Sequence, residues 1–248
     1  MDFFLNEKFI IPFLSTLGAS ATILLMQFYT RRIKETKQKI YAASYISDVA
    51  MRTIQSELIL VKHTIKPHIE AVERILKGDD ELLAKMFLSN EFDILTAPAP
   101  EYNHLPNEYS LQIGYDDIKL VQMYETLLYH HGNENNRISL NQFVKENLKS
   151  MESFKSKSEN ERRDVLYTYY DYLNSLEHES NRILWLSAYV LFPALKKYLK
   201  SYQFWLYSIK SGKETILSSL NHMNENIDLM PTSDYMESVR HGGIQGEL

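Results

Sequence analysis

The segment Phe9 to Tyr29, FIIPFLSTLGASATILLMQFY, carries no charge and is followed at once by Arg31, Arg32, Lys34, Lys37 and Lys39. As an α-helix it spans roughly 31 Å at ~1.5 Å per residue, about the thickness of the hydrocarbon core of a bilayer. It is apolar on all sides rather than along one stripe, which suits spanning better than lying in the interface. The polar residues Ser15, Thr16, Ser20, Thr22 and Gln27 make the balance favourable but modest. Pro12 is expected in the first turn, where its missing N–H costs little.

A cleaved signal peptide would have a basic leading region and small residues at its end. Here Asp2 and Glu7 lead, and Gly18, Ala19, Ser20 and Ala21 sit mid-run, so a retained anchor is the better reading. The basic cluster on the far flank, against Lys8 alone before the run, orients it by the positive-inside rule. The expected layout is a short extracytoplasmic N-terminus at 1–8 and a transmembrane helix at 9–29. A cytoplasmic helical domain over 30–228 and a disordered tail over 229–248 complete it. A bacterial inner membrane is the favoured location. Ser15, Gly18, Ala19 and Thr22 form overlapping small-xxx-small pairs, the pattern that lets helices approach closely in lipid. Arg31, Arg32 and Lys34 are placed for headgroup contact.

Charge divides unevenly along the chain. The first 40 residues hold six basic and three acidic side chains; the totals of 27 and 32 leave 21 and 29 for the rest. A domain so acidic is a poor general binder of nucleic acid, and none is expected as a partner. Cysteine is absent, which removes disulfides, thiolate catalysis and Cys-ligated zinc. Eight glycines and seven prolines in 248 residues leave helix formers dominant, so the expected class is all-α.

From about Thr30 to Leu76 one long helix continuous with the anchor is expected. Ile40, Ala43, Ile46, Ala50, Ile54, Leu58, Val61, Ile65, Ile69, Val72 and Leu76 recur three or four apart along it. Pro67 should kink its lower end. Gly78 reads as a C-cap and Asp79 as the N-cap of a short helix to about Ser89. Residues 91–115, with Pro98, Pro100, Pro106 and Gly114, read as a long connection. Asp116 and Asp117 then cap a helix to His131. Ser139 with Gln142, and Ser158 with Glu161, are capping-box signatures for two more helices. The second of these is expected to pass Pro193, kinked, to about Ser211, with a further amphipathic piece over Lys213 to Ile227. The whole is an irregular helical bundle on a membrane stalk.

Catalytic signatures are missing. There is no phosphate-cradling GxxxxGK[ST], no HExxH, no GxSxG, and no Arg paired with His at the spacing of helical ribonucleases. The one Glu-x-x-His, Glu101 to His104, falls in the proline-rich stretch rather than on a helix. His63 and His68 flank Pro67 on what reads as a solvated polar face. No cofactor or metal is expected. Two features stand out. Ser180 to Lys213 contains no acidic residue and interleaves lysines with aromatics. Along it Trp185, Tyr189, Phe192, Leu199 and Tyr202 fall on one stripe, the simplest core face of the last long helix. Trp185, Tyr189, Tyr202 and Trp205 are the alternative partner surface there, and the 93–107 loop is a weaker one. The run Tyr167, Tyr169, Tyr170, Tyr172 points in nearly every direction on a helix, so some of these must line contacts between helices or subunits.

These residues lead to a single-pass, membrane-anchored binding or scaffold protein. It meets membrane lipid, forms a homo-oligomer, or recruits a soluble protein partner to the inner face. The alternative is a membrane effector whose assembled anchors form a pore lined by Ser15, Thr16, Ser20, Thr22 and Gln27. An enzyme with an unrecognised site is the third reading.

Overall fold

The computed structural model describes residues 7–92, 105–131, 135–201, 214, 217–219, 221–222, 225 and 230–237. At 7–11, 13, 112, 115–116, 130–131, 135–136 and 201 this extends to the backbone alone. All regular structure among these residues is helical. The elements are α1 (Glu7–Leu60), a π turn (Val61–Ile65), α2 (Lys66–Leu76), α3 (Asp80–Leu88), α4 (Asn107–His131) and α5 (Asn135–Asn147). Then follow α6 (Met151–Lys155), α7 (Glu159–Trp185), a second π turn (Leu186–Leu191) and α8 (Phe192–Ser201).

The long α1 forms because its apolar residues repeat at helical spacing and no residue after Pro12 interrupts it. Its lower half is the spine of the bundle. Ala43, Ile46, Ala50 and Ile54 share one buried cluster with residues of α4, α7, the second π turn and α8, and Ile40 is fully buried as well. Val61, Ile65 and Val72, further along the same rod, join a second core with α3, α5, α6 and α7. Packing of this stripe, more than propensity, holds so long a helix in place.

Both prolines within the rods are met by π turns. The last five-residue bonds, Lys66 N–H to the carbonyl of Val61 and Phe192 N–H to that of Ser187, end one residue before Pro67 and Pro193. Widening the turn there takes the preceding carbonyl out of the way of the ring, and helical structure continues on the far side of each proline.

The capping expected at Asp79 and at Ser158 is present. The Asp79 carboxylate accepts the N–H of Leu82 at 3.0 Å, and Gly78 just before it has φ +103°, a conformation that favours glycine. Ser158 and Glu161 satisfy each other's backbone donors in a full capping box.

Four local expectations are corrected. Helix α1 begins at Glu7, so Pro12 lies inside the helix rather than in its first turn. Helix α4 begins at Asn107 because the Pro106 carbonyl accepts the N–H groups of Tyr109 and Ser110 at 2.8 and 3.0 Å, and Ile113 is fully buried. Asp117, with φ −151° and ψ 84°, marks a break within α4 and caps its second part through Leu120. Helix α5 starts at Asn135, and Gln142 donates forward to Glu146 at 2.9 Å instead of back to a cap at Ser139. In the last rod the π turn rotates the register. The core line becomes Ile183, Leu184, Ala188, Leu191, Phe192, Leu195, Tyr198 and Leu199; Phe192 and Leu199 of the expected stripe are in it, while Trp185 and Tyr189 are left at its margin.

Among the described residues no helix is long and apolar enough to cross a membrane. Side chains 9–11 and 13 of the expected span lie outside those residues. From Leu14 onward Ser15, Thr16, Ser20, Thr22 and Gln27 dilute the apolar run. The all-helical bundle stands on its own observations; the membrane span does not.

Candidate functional site

Every described side chain from Pro12 to Arg32 is exposed, and the first buried ones are Thr36 and Ile40. Leu14, Leu17, Ile23, Leu24, Leu25, Met26 and Phe28 therefore project from α1 ahead of the bundle, with Leu24 and Leu25 at 65% and 69% exposure. Covering each such side chain is worth roughly 1.5–3 kcal/mol. Exposed apolar surface of this extent is unusual on a folded protein and commonly marks an interaction site.

Within it, Ser15, Gly18, Ala19 and Thr22 are all exposed, and a Cβ built at Gly18 meets nothing within 4 Å. The Ser15 and Thr16 hydroxyls donate to the Pro12 carbonyl at 2.8 and 2.7 Å, and Thr22 donates to the Gly18 carbonyl at 2.8 Å. These hydroxyls are thus occupied within their own helix. Arg31 pairs with Glu35 at 2.9 Å on the exposed surface, Arg32 approaches the same carboxylate at 3.9 Å, and Lys34 is exposed beside them.

The second region is the margin of α7. Trp185 Nε1–H donates to the Ser233 carbonyl at 2.9 Å, and the Tyr189 hydroxyl donates to the Pro231 carbonyl at 3.0 Å. Met230 is buried in the first core, and the Tyr235 hydroxyl lies 2.8 Å from His178 Nδ1. Two of the four aromatics expected to form a partner surface are thus engaged by the chain's own residues 230–237. Tyr202 and Trp205 lie outside the described residues, as do most of the 93–107 loop and both Glu101 and His104.

The third region is polar and inside the bundle. Glu57 on α1 is 1% exposed; it accepts from Arg137 of α5 at 3.2 Å and from Ser180 of α7 at 2.6 Å. Sequence reading missed this centre, because an acidic residue on an otherwise amphipathic helix looks like part of its solvated face. His68, expected on a solvated polar face, is instead half-buried. Its Nδ1 lies 2.7 Å from the Thr64 carbonyl and its Nε2 2.9 Å from the Glu91 carbonyl, so it ties the first π turn to the end of α3. The tyrosine run behaves as its spacing implies. Tyr169 is fully buried, Tyr170 donates to Glu73 at 3.0 Å, Tyr172 stacks against Phe143 and Tyr167 stays exposed.

Burial pushes the Tyr124 and Tyr169 phenols well above the usual tyrosine range, which keeps both neutral. Among the described residues no group of three or more histidines or carboxylates is placed to hold a metal ion. A cavity of about 360 Å³ beside α3 and α7 is lined by Arg162 and Arg163 but also by Asp80 and Glu159, so its charge selects no ligand class. No protein-family model matches this chain, and neither a curated protein nor a solved structure matches it.

Proposed function

We propose that this chain is a single-pass, membrane-anchored helical scaffold, with residues 9–29 in the bilayer and the bundle on the cytoplasmic face. It gathers copies of itself, or a soluble partner, at the inner surface of the membrane. The observation that carries this reading is the run of exposed apolar side chains from Leu14 to Phe28 on a helix that continues without a break into the bundle. In water such a segment has neither the packing nor the alanine-rich composition to remain helical. In lipid the helix satisfies its own backbone. Arg31, Arg32, Lys34 and Lys37 follow where an anionic headgroup layer would lie. The open notch at Gly18 suits close approach of a second helix.

The bonding of Ser15, Thr16 and Thr22 to their own helix favours an anchor over a pore, since hydroxyls spent in this way offer little to a water-filled path. The test is alkaline carbonate extraction of membranes, paired with protease accessibility of a C-terminal tag. The chain should stay in the membrane pellet, with the tag cleaved only from the cytoplasmic side. Leu24→Arg with Leu25→Arg, at roughly 3–4 kcal/mol each on the insertion scale, should release it. Release of the unaltered chain by carbonate would end the anchor reading.

A further inference from the structure

The exposed face of α8 differs from other outer faces of the bundle. Lys196, Lys197 and Lys200 are exposed on it, while Leu195, Tyr198 and Leu199 behind them are buried in the first core. Outer faces elsewhere mix signs, as with Asp80, Glu81 and Lys85 on α3, or Glu159, Arg163 and Asp164 on α7. The stretch from Ser180 to Lys213 has no acidic residue, and among the described residues none of the three lysines makes an ion pair.

The place of this face follows from the direction of α7. Tyr170 bonds Glu73, Glu177 approaches Lys66 at 4.0 Å and Ser180 bonds Glu57, so α7 runs antiparallel to α2 and α1. Helix α8 keeps to that course, since it touches α1 and shares the first core with Ala42, Ala43 and Ile46. Lys200 lies twenty residues past Ser180, as Lys37 lies twenty before Glu57. At about 1.5 Å per residue the two lysines stand near one level, at the end of the bundle from which the apolar length of α1 projects. Arg31, Arg32, Lys34 and Lys37 are exposed on α1 there, and the Glu35 carboxylate among them is engaged by Arg31 at 2.9 Å. Two rows of cations, distant in sequence, thus meet at one end of the molecule.

We propose that this end of the bundle docks on an anionic lipid headgroup layer, with Lys196, Lys197 and Lys200 extending the contact begun by Arg31, Arg32, Lys34 and Lys37. The occupant is a membrane because the basic surface is continuous with the exposed apolar length of α1, and lipid offers both chemistries in that order. With residues 9–29 in the bilayer, Lys37 follows Tyr29 by eight residues, about 12 Å along the helix. The headgroup layer takes up about 5–8 Å of that. Lys200 then lies within a Debye length, about 8 Å, of the lipid phosphates. Lys196 and Lys197 sit about one turn deeper and contribute less. Each basic residue near such a surface strengthens the contact roughly fivefold. The bundle is thereby held against the leaflet instead of swinging below its anchor. The depth of the lysines rests on the anchor reading above; the charged surface does not.

Vesicle cosedimentation of the full-length chain carrying Leu24→Arg and Leu25→Arg separates the surface from the span. In low salt that chain should pellet with vesicles of about one-third phosphatidylglycerol in phosphatidylcholine, and stay in solution with phosphatidylcholine alone. Adding Lys196→Gln, Lys197→Gln and Lys200→Gln should weaken the binding at least tenfold, with helix content unchanged because all three side chains are exposed. Equal binding with and without the three lysines would overturn the proposal, as would no binding to the anionic vesicles. A second measurement uses the unaltered chain: acetylation of its lysines in nanodiscs, read by mass spectrometry. Lys200 should react at least threefold more slowly in anionic than in neutral nanodiscs, with the exposed Lys85 and Lys145 unchanged. Slowing at Lys34 and Lys37 but not at Lys200 would overturn the docking and leave the anchor standing. A chain that does not enter nanodiscs ends the anchor reading, and the vesicle comparison still decides the surface.

Discussion

The Glu57 carboxylate on α1 accepts a 2.6 Å hydrogen bond from the Ser180 hydroxyl on α7, 123 positions away, while Arg137 of α5 approaches its other oxygen at 3.2 Å. Three helices are thereby pinned at one buried charge. Glu57 lies between the two apolar clusters in sequence, after Ile54 of the first and before Val61 of the second. Its bonds therefore fix the register of α1 against α5 and α7 where apolar packing alone would allow sliding.

Removing the Arg137 guanidinium takes a cation away from the buried carboxylate, and removing the Ser180 hydroxyl takes one neutral donor. Arg137→Met should cost about 3–5 kcal/mol in urea unfolding. Ser180→Ala should cost less, about 1.5–3 kcal/mol, as expected for one hydrogen bond to a charged group. Equal costs for the two would show that Arg137 contributes no more than Ser180 does.

Tyr169 makes the opposite case. Its hydroxyl is buried with no hydrogen-bond partner among the described residues, against Phe92 and the second core. Tyr169→Phe keeps the ring and removes an unsatisfied polar atom, so it should be neutral or stabilising by up to about 1 kcal/mol. A thermal melt decides this, and a clear loss of stability would mean the hydroxyl has a partner.

Two helix caps carry pH dependence. The Leu82 N–H, followed by Arg74, holds Asp79 below its ordinary 3.8, and the Ser158 hydroxyl and N–H hold Glu161 below its ordinary 4.5. A carboxylate depressed in the folded state adds stability above its unfolded pKa and loses it as pH falls through the folded one. The urea midpoint should therefore be level above about pH 5 and decline below about pH 4. Asp79→Asn, which keeps an N-cap acceptor without the charge, should flatten part of that decline.

Gly18→Leu fills the notch on the exposed face of α1. If copies pack there, the oligomer measured in nanodiscs should shift to smaller species with bundle stability unchanged. An unaltered size distribution would remove Gly18, Ser15, Ala19 and Thr22 from the interface.

Much of the helical layout was legible because its causes are local. The stripe from Ile40 to Val72, the caps at Asp79 and Ser158, and the separate roles of the tyrosines follow from spacing and from side-chain chemistry within four residues. The start of α4 was not legible. Pro98, Pro100, Pro106 and Gly114 together signal a loop, yet burial of Ile113 outweighs the cost of a glycine in a helix. Trp185 and Tyr189 lie half-buried at the margin of the core, and nothing near them in sequence marks Pro231 and Ser233 as the residues they bond.

The sequence by itself determined the all-α class and the long helix from an apolar end into an amphipathic one; that the turns before Pro67 and Pro193 widen to π geometry came from the structure. Periodicity acts over one or two turns, so it can be read from neighbours in the chain. Only the tertiary structure decided that Glu57 is buried, that His68 bridges to Glu91, and that the α7 margin is closed by its own distant segment. Each of these joins residues far apart in sequence. The free energy of such a contact depends on which surfaces lose water together, and that is set by the packing of the whole bundle.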